Sequence, residues 1–236
     1  MSPAWVNLTD YTPTEQLLLA VSGVFWSSTY FLILLDARRK AFLGVPVLAV
    51  PANLACEFLH GYVYPTNMGA LADWGQKIYF PLSCLMGWYA LRHGERQFHD
   101  ETLRRYTLAL FAFAAVAWGA FLYFFIPAVD DSAGITTGII VTLLMSALYP
   151  VLLLQRFERA GADGVKQLSY AVAWFKCLGT SFAVVFAFLH LTGRPWVLVL
   201  CVVTFLLDLV YLRLFARLRS AVGGAWMHVT PRGSHP

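Results

Sequence analysis

The chain has 236 residues, 59% of them hydrophobic and only 13% charged, with a formal net charge of +4 and a mean hydropathy of +0.63. Soluble domains are nearer a quarter charged, so a compact water-facing fold of this length would lack the ionic groups to cover its surface. The composition therefore predicts a polytopic membrane protein.

Seven apolar segments follow one another, approximately at 17–35, 42–62, 77–92, 106–127, 135–155, 168–191 and 195–215. Most approach the length needed to cross about 30 Å of hydrocarbon. Backbone groups in lipid must be satisfied within the segment, so each is read as a helix, with Pro46, Pro51, Pro81, Pro127 and Pro150 at kinks or ends. The expected fold is an all-α integral membrane protein with seven transmembrane helices. Residues 1–220 form the single membrane domain and 221–236 a short cytoplasmic tail.

Orientation follows from the basic residues. Arg38, Arg39 and Lys40 follow the first span, and Arg92, Arg96, Arg104 and Arg105 follow the third. Arg156, Arg159 and Lys166 follow the fifth, and Arg213, Arg217, Arg219 and Arg232 close the seventh. The other side carries Lys77 and Arg194 with Asp10, Glu15, Asp73, Asp130 and Asp131. The positive-inside rule then puts the N-terminus outside and the C-terminus in the cytoplasm. Met1–Glu15 lacks the basic start and apolar stretch of a cleavable signal peptide. The excess of Arg over Lys favours a GC-rich bacterial source, hence a multi-pass protein of the bacterial cytoplasmic membrane. Cys56, Cys84, Cys177 and Cys201 all lie in apolar runs, with no CxxC or Cys/His spacing, and read as packing residues.

Three ionisable residues remain well inside the spans: Glu57 in the second, Lys176 in the sixth and Asp208 in the seventh. Buried charges are costly in lipid and usually mark a site, the bland alternative being an ion pair of Lys176 with Glu57 or Asp208. Asn53, Glu57, His60 and Tyr64 recur at spacings of four, three and four, which makes one polar stripe on an otherwise apolar helix. Thr204, Asp208 and Tyr211 repeat the arrangement on the last helix, so the two carboxylates are expected to face a common interior. Their offsets from mid-span put them about 10 Å apart along the membrane normal, suited to opposite ends of one substrate. A carboxyl group in a dry pocket can stay protonated at neutral pH, as an acid catalyst requires. Aromatic residues reach 16%; Trp26 and Tyr30, Trp118 with Phe121 and Phe125, and Trp174 offer π faces that could stabilise carbocations.

Several chemistries are excluded by their motifs. The paired aspartates of AVDDSAG are followed by nothing acidic, so the DDxxD cluster of diphosphate ionisation is missing, and Ala128 breaks a DxDD pattern. HExxH, GxSxG and GxxxxGK[ST] are absent, and Asp208 stands in the last span where a retinal protein wants lysine. The sequon Asn7-Leu8-Thr9 carries little weight in a bacterial protein.

The segment Asn53-Leu54-Ala55-Cys56-Glu57-Phe58 resembles the N-x-A-W-E-F segment in the second helix of small seven-helix integral-membrane terpene cyclases. These serve fungal meroterpenoid and indole-diterpene pathways and bacterial pathways to drimentine-type farnesylated indole alkaloids. Asp208 in FLLDLVY matches the essential aspartate of that family's last helix, whereas Cys56 replaces the usual Trp. The resemblance implies metal-free, protonation-initiated cyclisation of a linear prenyl chain, an isomerase or lyase reaction of secondary metabolism that needs no cofactor. It makes Glu57 the expected acid, oriented by Asn53 and His60, and Asp208 the counter-charge or final base. Trp26, Tyr30, Asn53, His60, Tyr64, Trp118, Lys176, Thr204 and Tyr211 are the candidate pocket residues. The expected partners are a prenylated small molecule and membrane lipid, with no nucleic acid and no obligate protein partner. A small seven-helix transporter of a lipophilic or sugar-like solute and a carotenoid-type membrane cyclase stand as alternatives. The three-helix repeat a transporter would show is not evident.

Overall fold

Thr12 starts the first helix by a reciprocal exchange. Its side-chain oxygen accepts from the Glu15 backbone N–H at 3.3 Å, the Glu15 carboxylate accepts from the Thr12 N–H at 2.7 Å, and Pro13 fills the first turn. In the computed structural model, which describes residues 4–98 and 100–227 and only the helical backbone of 222–227, this helix is α1, Pro13–Lys40. It is followed by α2 (Val50–Phe58), which passes into a π-helical turn at Leu59–Val63, and by α3 (Ala70–His93) and a short α4 (Glu101–Arg105). The chain continues through α5 (Thr107–Ala128), α6 (Ile135–Lys166), α7 (Tyr170–His190) and α8 (Pro195–Met227). Among the described residues there is no strand.

Five of these helices, α1, α5, α6, α7 and α8, are long and apolar enough to cross a membrane. The protein is multi-pass. The second and third expected spans are modified. The helix expected over 42–62 begins only at Val50, with Pro51 in its first turn, and is too short in α form to cross a bilayer. The buried stretch before it is irregular, and the Gln97 side chain satisfies its backbone. Gln97 Nε2 donates to the Leu43 and Val45 carbonyls (2.9 and 2.8 Å) and its Oε1 accepts from Val47 N–H (3.0 Å). The α3 helix spans about 36 Å but is not apolar enough to qualify. Helix α6 breaks at Gly161 (φ 51) rather than at Pro150, which sits within it. Helix α8 runs through Met227, past the boundary expected for a tail; Arg232 and residues 228–236 lie outside the described residues.

The helices form two packed groups, joined by α6 against α2 and by α1 against α3. Helix α2 packs against α3, α5 and α6, while α1 lies along α7 and α8 lies across both α6 and α7. Helices α1 and α7 meet through Ser22, whose hydroxyl donates to the Gly179 carbonyl at 2.8 Å, and through Phe25 against Phe175 and Phe182. At the N-terminal end of α1 the leading residues fold over the bundle: Asn7 N–H donates to Met68 O, and Ala70 N–H to Ala4 O, both at 3.0 Å. Gly69, at φ 111, is required there, since a Cβ would stand 2.8 Å from the Trp5 carbonyl oxygen.

Candidate active site

Between α1, α2, α3, α6 and α7 lies a cavity of about 870 Å³, within the range of roughly 300–1,000 Å³ typical of sites that enclose a small organic ligand. Its walls are mostly apolar. The folded-over N-terminal segment closes one end through Trp5 and Val6, and between α1 and α3 the wall reaches the surface at Leu17, Val24 and Leu71. There Tyr79 of α3 bridges to α1: its hydroxyl donates to the Gly23 carbonyl at 2.7 Å and meets Ser27 Oγ at 3.0 Å.

Glu57 is the carboxylate on this cavity, and its two oxygens have different surroundings. Oε1 accepts hydrogen bonds from the Tyr30 hydroxyl and from Asn53 Nδ2, the latter at 3.0 Å. The Asn53 amide also donates to Tyr30 Oη and to Ser83 Oγ (2.8 Å), which ties α1, α2 and α3 together at this point. Oε2 is buried with no hydrogen-bond partner among the described residues. Such a group is costly to leave unpaired, and a bound molecule or a water can supply the missing bond. Both ring nitrogens of His60 and the hydroxyl of Thr180 are also buried without partners, and both residues line the same cavity.

An aromatic wall adjoins these polar groups through Tyr30. The Trp26 ring meets Tyr30 edge-on at 6.4 Å, and Tyr30 lies 5.4 Å from Tyr79. Trp26 reaches its place because residue 179 is glycine: a Cβ there would be 2.9 Å from Trp26 Cδ1 and 3.0 Å from Nε1.

Asp208 is elsewhere. It pairs with Lys176, whose Nζ also donates to Ser146 Oγ at 2.6 Å and stands 5.6 Å from the centre of the Tyr149 ring. Lys176 is 1% exposed and Asp208 2%, and neither lines the cavity. On α7, Lys176 lies one turn before Thr180, about 6 Å along the axis, so the ion pair sits just beyond the cavity's inner end. The expectation that both carboxylates face one interior is corrected: the lysine draws Asp208 to α7 and α6.

Of the expected pocket residues, Trp26, Tyr30, Asn53 and His60 line the cavity with Glu57. Tyr64, Trp118, Thr204 and Tyr211 do not. The π-helical turn carries Tyr64 away to α5, where its hydroxyl donates to the Tyr123 carbonyl at 2.8 Å. Trp118 packs edge-on against Phe121, and Thr204 donates to the carbonyl of Leu200. Tyr211 lies 5.0 Å from Tyr149 beside the ion pair. Among the described residues no three His, Cys, Asp or Glu side chains come together as metal ligands would.

A family model of Pyr4-like transmembrane terpene cyclases matches residues 6–221, which includes every helix that builds the cavity. The chain belongs to that family. No curated protein and no solved structure gives a significant match. As a transmembrane terpene cyclase the chain is an enzyme, and the cavity around Glu57 is its candidate site. Sequence reasoning misses several residues in and behind the wall of this cavity. Ser83, Tyr79, Thr180 and Gly179 carry no signature, since hydroxyl residues and glycine are ordinary in membrane helices. Asp131 reads in the sequence as an external loop charge, yet it is 4% exposed and caps α6. It accepts from Thr136 N–H (3.0 Å), Thr137 N–H (2.7 Å) and the Thr137 hydroxyl. The capping pattern D-x-x-x-x-T-T is the available signal.

Proposed function

We propose that this cyclase performs metal-free, proton-initiated cyclisation of a linear prenyl chain, a farnesyl chain on an indole or other aromatic scaffold. It does so in a membrane that the chain crosses seven times, the second time through α2 together with the irregular stretch before it and the π-helical turn after it, with the N-terminus outside and the C-terminus in the cytoplasm. One observation carries the reading: an acid, Glu57, lines a largely apolar, aromatic-walled cavity, with one oxygen held by two donors and the other buried without a hydrogen-bond partner among the described residues.

Glu57 enters as the neutral acid. Its proton moves from Oε2 to the terminal alkene carbon or epoxide oxygen, leaving a carboxylate and an electron-poor tertiary carbon. As negative charge grows on the carboxylate, the Tyr30 O–H and Asn53 N–H bonds to Oε1 strengthen, so they stabilise the transition state more than the ground state. Internal alkenes attack in turn, each forming a ring C–C bond and passing the cation onward. The faces of Trp26, Tyr30 and Tyr79 supply the negative side of their ring quadrupoles to that moving charge. Loss of a proton ends the sequence, so substrate and product are isomers. Asp208 and Lys176 act from behind the wall, as a fixed ion pair that holds α6, α7 and α8 in register.

The test is to incubate membranes containing the protein, in excess chelator, with a farnesylated indole. Formation of a cyclic isomer of unchanged mass is expected. A strict requirement for divalent metal, or an untouched substrate, would overturn the reading.

A further inference from the structure

The cyclisation cannot finish without a base, and the cavity holds few candidates. Asp208, the carboxylate of the last helix, does not line it: its Oδ1 is engaged by Lys176, and its Oδ2, without a hydrogen-bond partner among the described residues, is buried away from the cavity lining. The Cys56 thiol and the Tyr30 and Tyr79 hydroxyls line it, but in their protonated forms they are poor proton acceptors. Asp131 is turned to the start of α6, with both oxygens occupied. That leaves the carboxylate formed at Glu57 and the imidazole of His60.

We infer that His60 is the base that removes the terminal proton, an assignment that rests on the cyclase reaction proposed above. The ring is 2% exposed, lines the cavity, and has neither nitrogen hydrogen-bonded among the described residues. Its seat is made by Gly134, whose φ of 74 begins α6. A Cβ at that position would stand 3.2 Å from His60 Nδ1, 3.3 Å from Cε1 and 3.4 Å from Cγ, so residue 134 packs against the face of the imidazole, and glycine leaves the ring its room. His60 follows Glu57 by three residues, a spacing that puts their Cβ atoms about 5–6 Å apart on one face. Acid and base thus sit side by side, and the chain must fold back so that its last cation lies near its first protonated carbon.

The step balances without a co-reactant. A C–H bond next to the final cation breaks, its electron pair becomes the new C=C bond, and the proton goes to an imidazole nitrogen. The imidazolium then returns a proton to the Glu57 carboxylate, which restores the acid for the next turnover. Between the two transfers the cavity carries one carboxylate and one imidazolium.

The experiment compares the product profiles of wild type and His60→Gln, a residue of similar reach that is not basic, on a farnesylated indole in D2O. Melting temperatures are measured alongside. The deuteron delivered by Glu57 should still appear in the products of the variant. The wild-type olefin should form about 10²-fold more slowly, the size expected for a lost general base. In its place the variant should give olefins deprotonated elsewhere, or an alcohol heavier by one water. Wild-type turnover with an unaltered product from His60→Gln at the wild-type rate would refute the base assignment alone. A wild-type protein that leaves the substrate untouched would refute the cyclase reaction itself. If His60→Gln fails to accumulate, Gly134→Ala displaces the ring without removing it. An altered product ratio is then expected, and an unaltered one overturns the inference.

Discussion

Neutralising Asp208 should act first on the stability of the protein. Asp208 and Lys176 are almost wholly buried, and the remaining polar contact of the ammonium is one hydroxyl, Ser146. Asp208→Asn leaves that ammonium without a counter-charge, for which the expected cost is about 3–5 kcal/mol. For a chain of this size each kcal/mol moves the melting temperature by about 2–4 °C, so the fall should be roughly 6–20 °C. Removing both charges together is a different perturbation. In Lys176→Gln/Asp208→Asn the two amides can bond to each other, and stability should return to within about 1–2 kcal/mol of wild type. Fluorescence-detected size-exclusion chromatography across a temperature series in detergent measures all four corners of the cycle, with turnover measured on the folded fraction. An Asp208→Asn variant that melts like wild type but is inactive would refute this reasoning and return Asp208 to the chemistry. A double variant as unstable as the single one would refute it equally.

Glu57→Gln should abolish turnover with a change in stability below about 1 kcal/mol, since the amide oxygen keeps the bonds from Tyr30 and Asn53 and the new N–H₂ replaces an oxygen that has no hydrogen bond to lose among the described residues. Melting temperature and product formation in the same preparation check both halves. Gly179→Ala should force the Trp26 ring toward the cavity at a cost of about 1–3 kcal/mol and change the ratio of cyclic products, read by mass spectrometry with authentic standards. A reporter fused at the C-terminus should read cytoplasmic and one at the N-terminus outside, which reporter activity in intact cells decides.

Much of this arrangement is legible in the residues. The spacing 53, 57, 60 puts Asn53, Glu57 and His60 on one face, and that face turns to the cavity. The same spacing fails for Tyr64 because Leu59–Val63 is wound as a π turn, which inserts an extra residue and rotates Tyr64 away from the stripe. Nothing in LHGYV announces that. Lys176 is ambiguous in the sequence for a different reason: a buried ammonium demands a carboxylate, but periodicity along one helix cannot say which neighbour supplies it. The packing of α7 on α8 decides for Asp208. The irregular stretch before α2 is hidden because Phe42, Leu43, Val45 and Val47 are as apolar as a span. Gln97, more than fifty residues away for each carbonyl it binds, helps that backbone stay buried.

The seam between α1 and α3 has a kinetic meaning. The cavity reaches the surface there at Leu17 and Val24, in a helix apolar enough to face lipid, and Tyr79 hydrogen-bonds across the gap. A prenyl chain that arrives by this route is already dissolved in the bilayer. For a substrate that enters so, the concentration that counts is a mole fraction in two dimensions, and inert lipid acts as diluent while the volume of buffer hardly matters. A Michaelis constant expressed in bulk molarity would describe the membrane preparation as much as the protein.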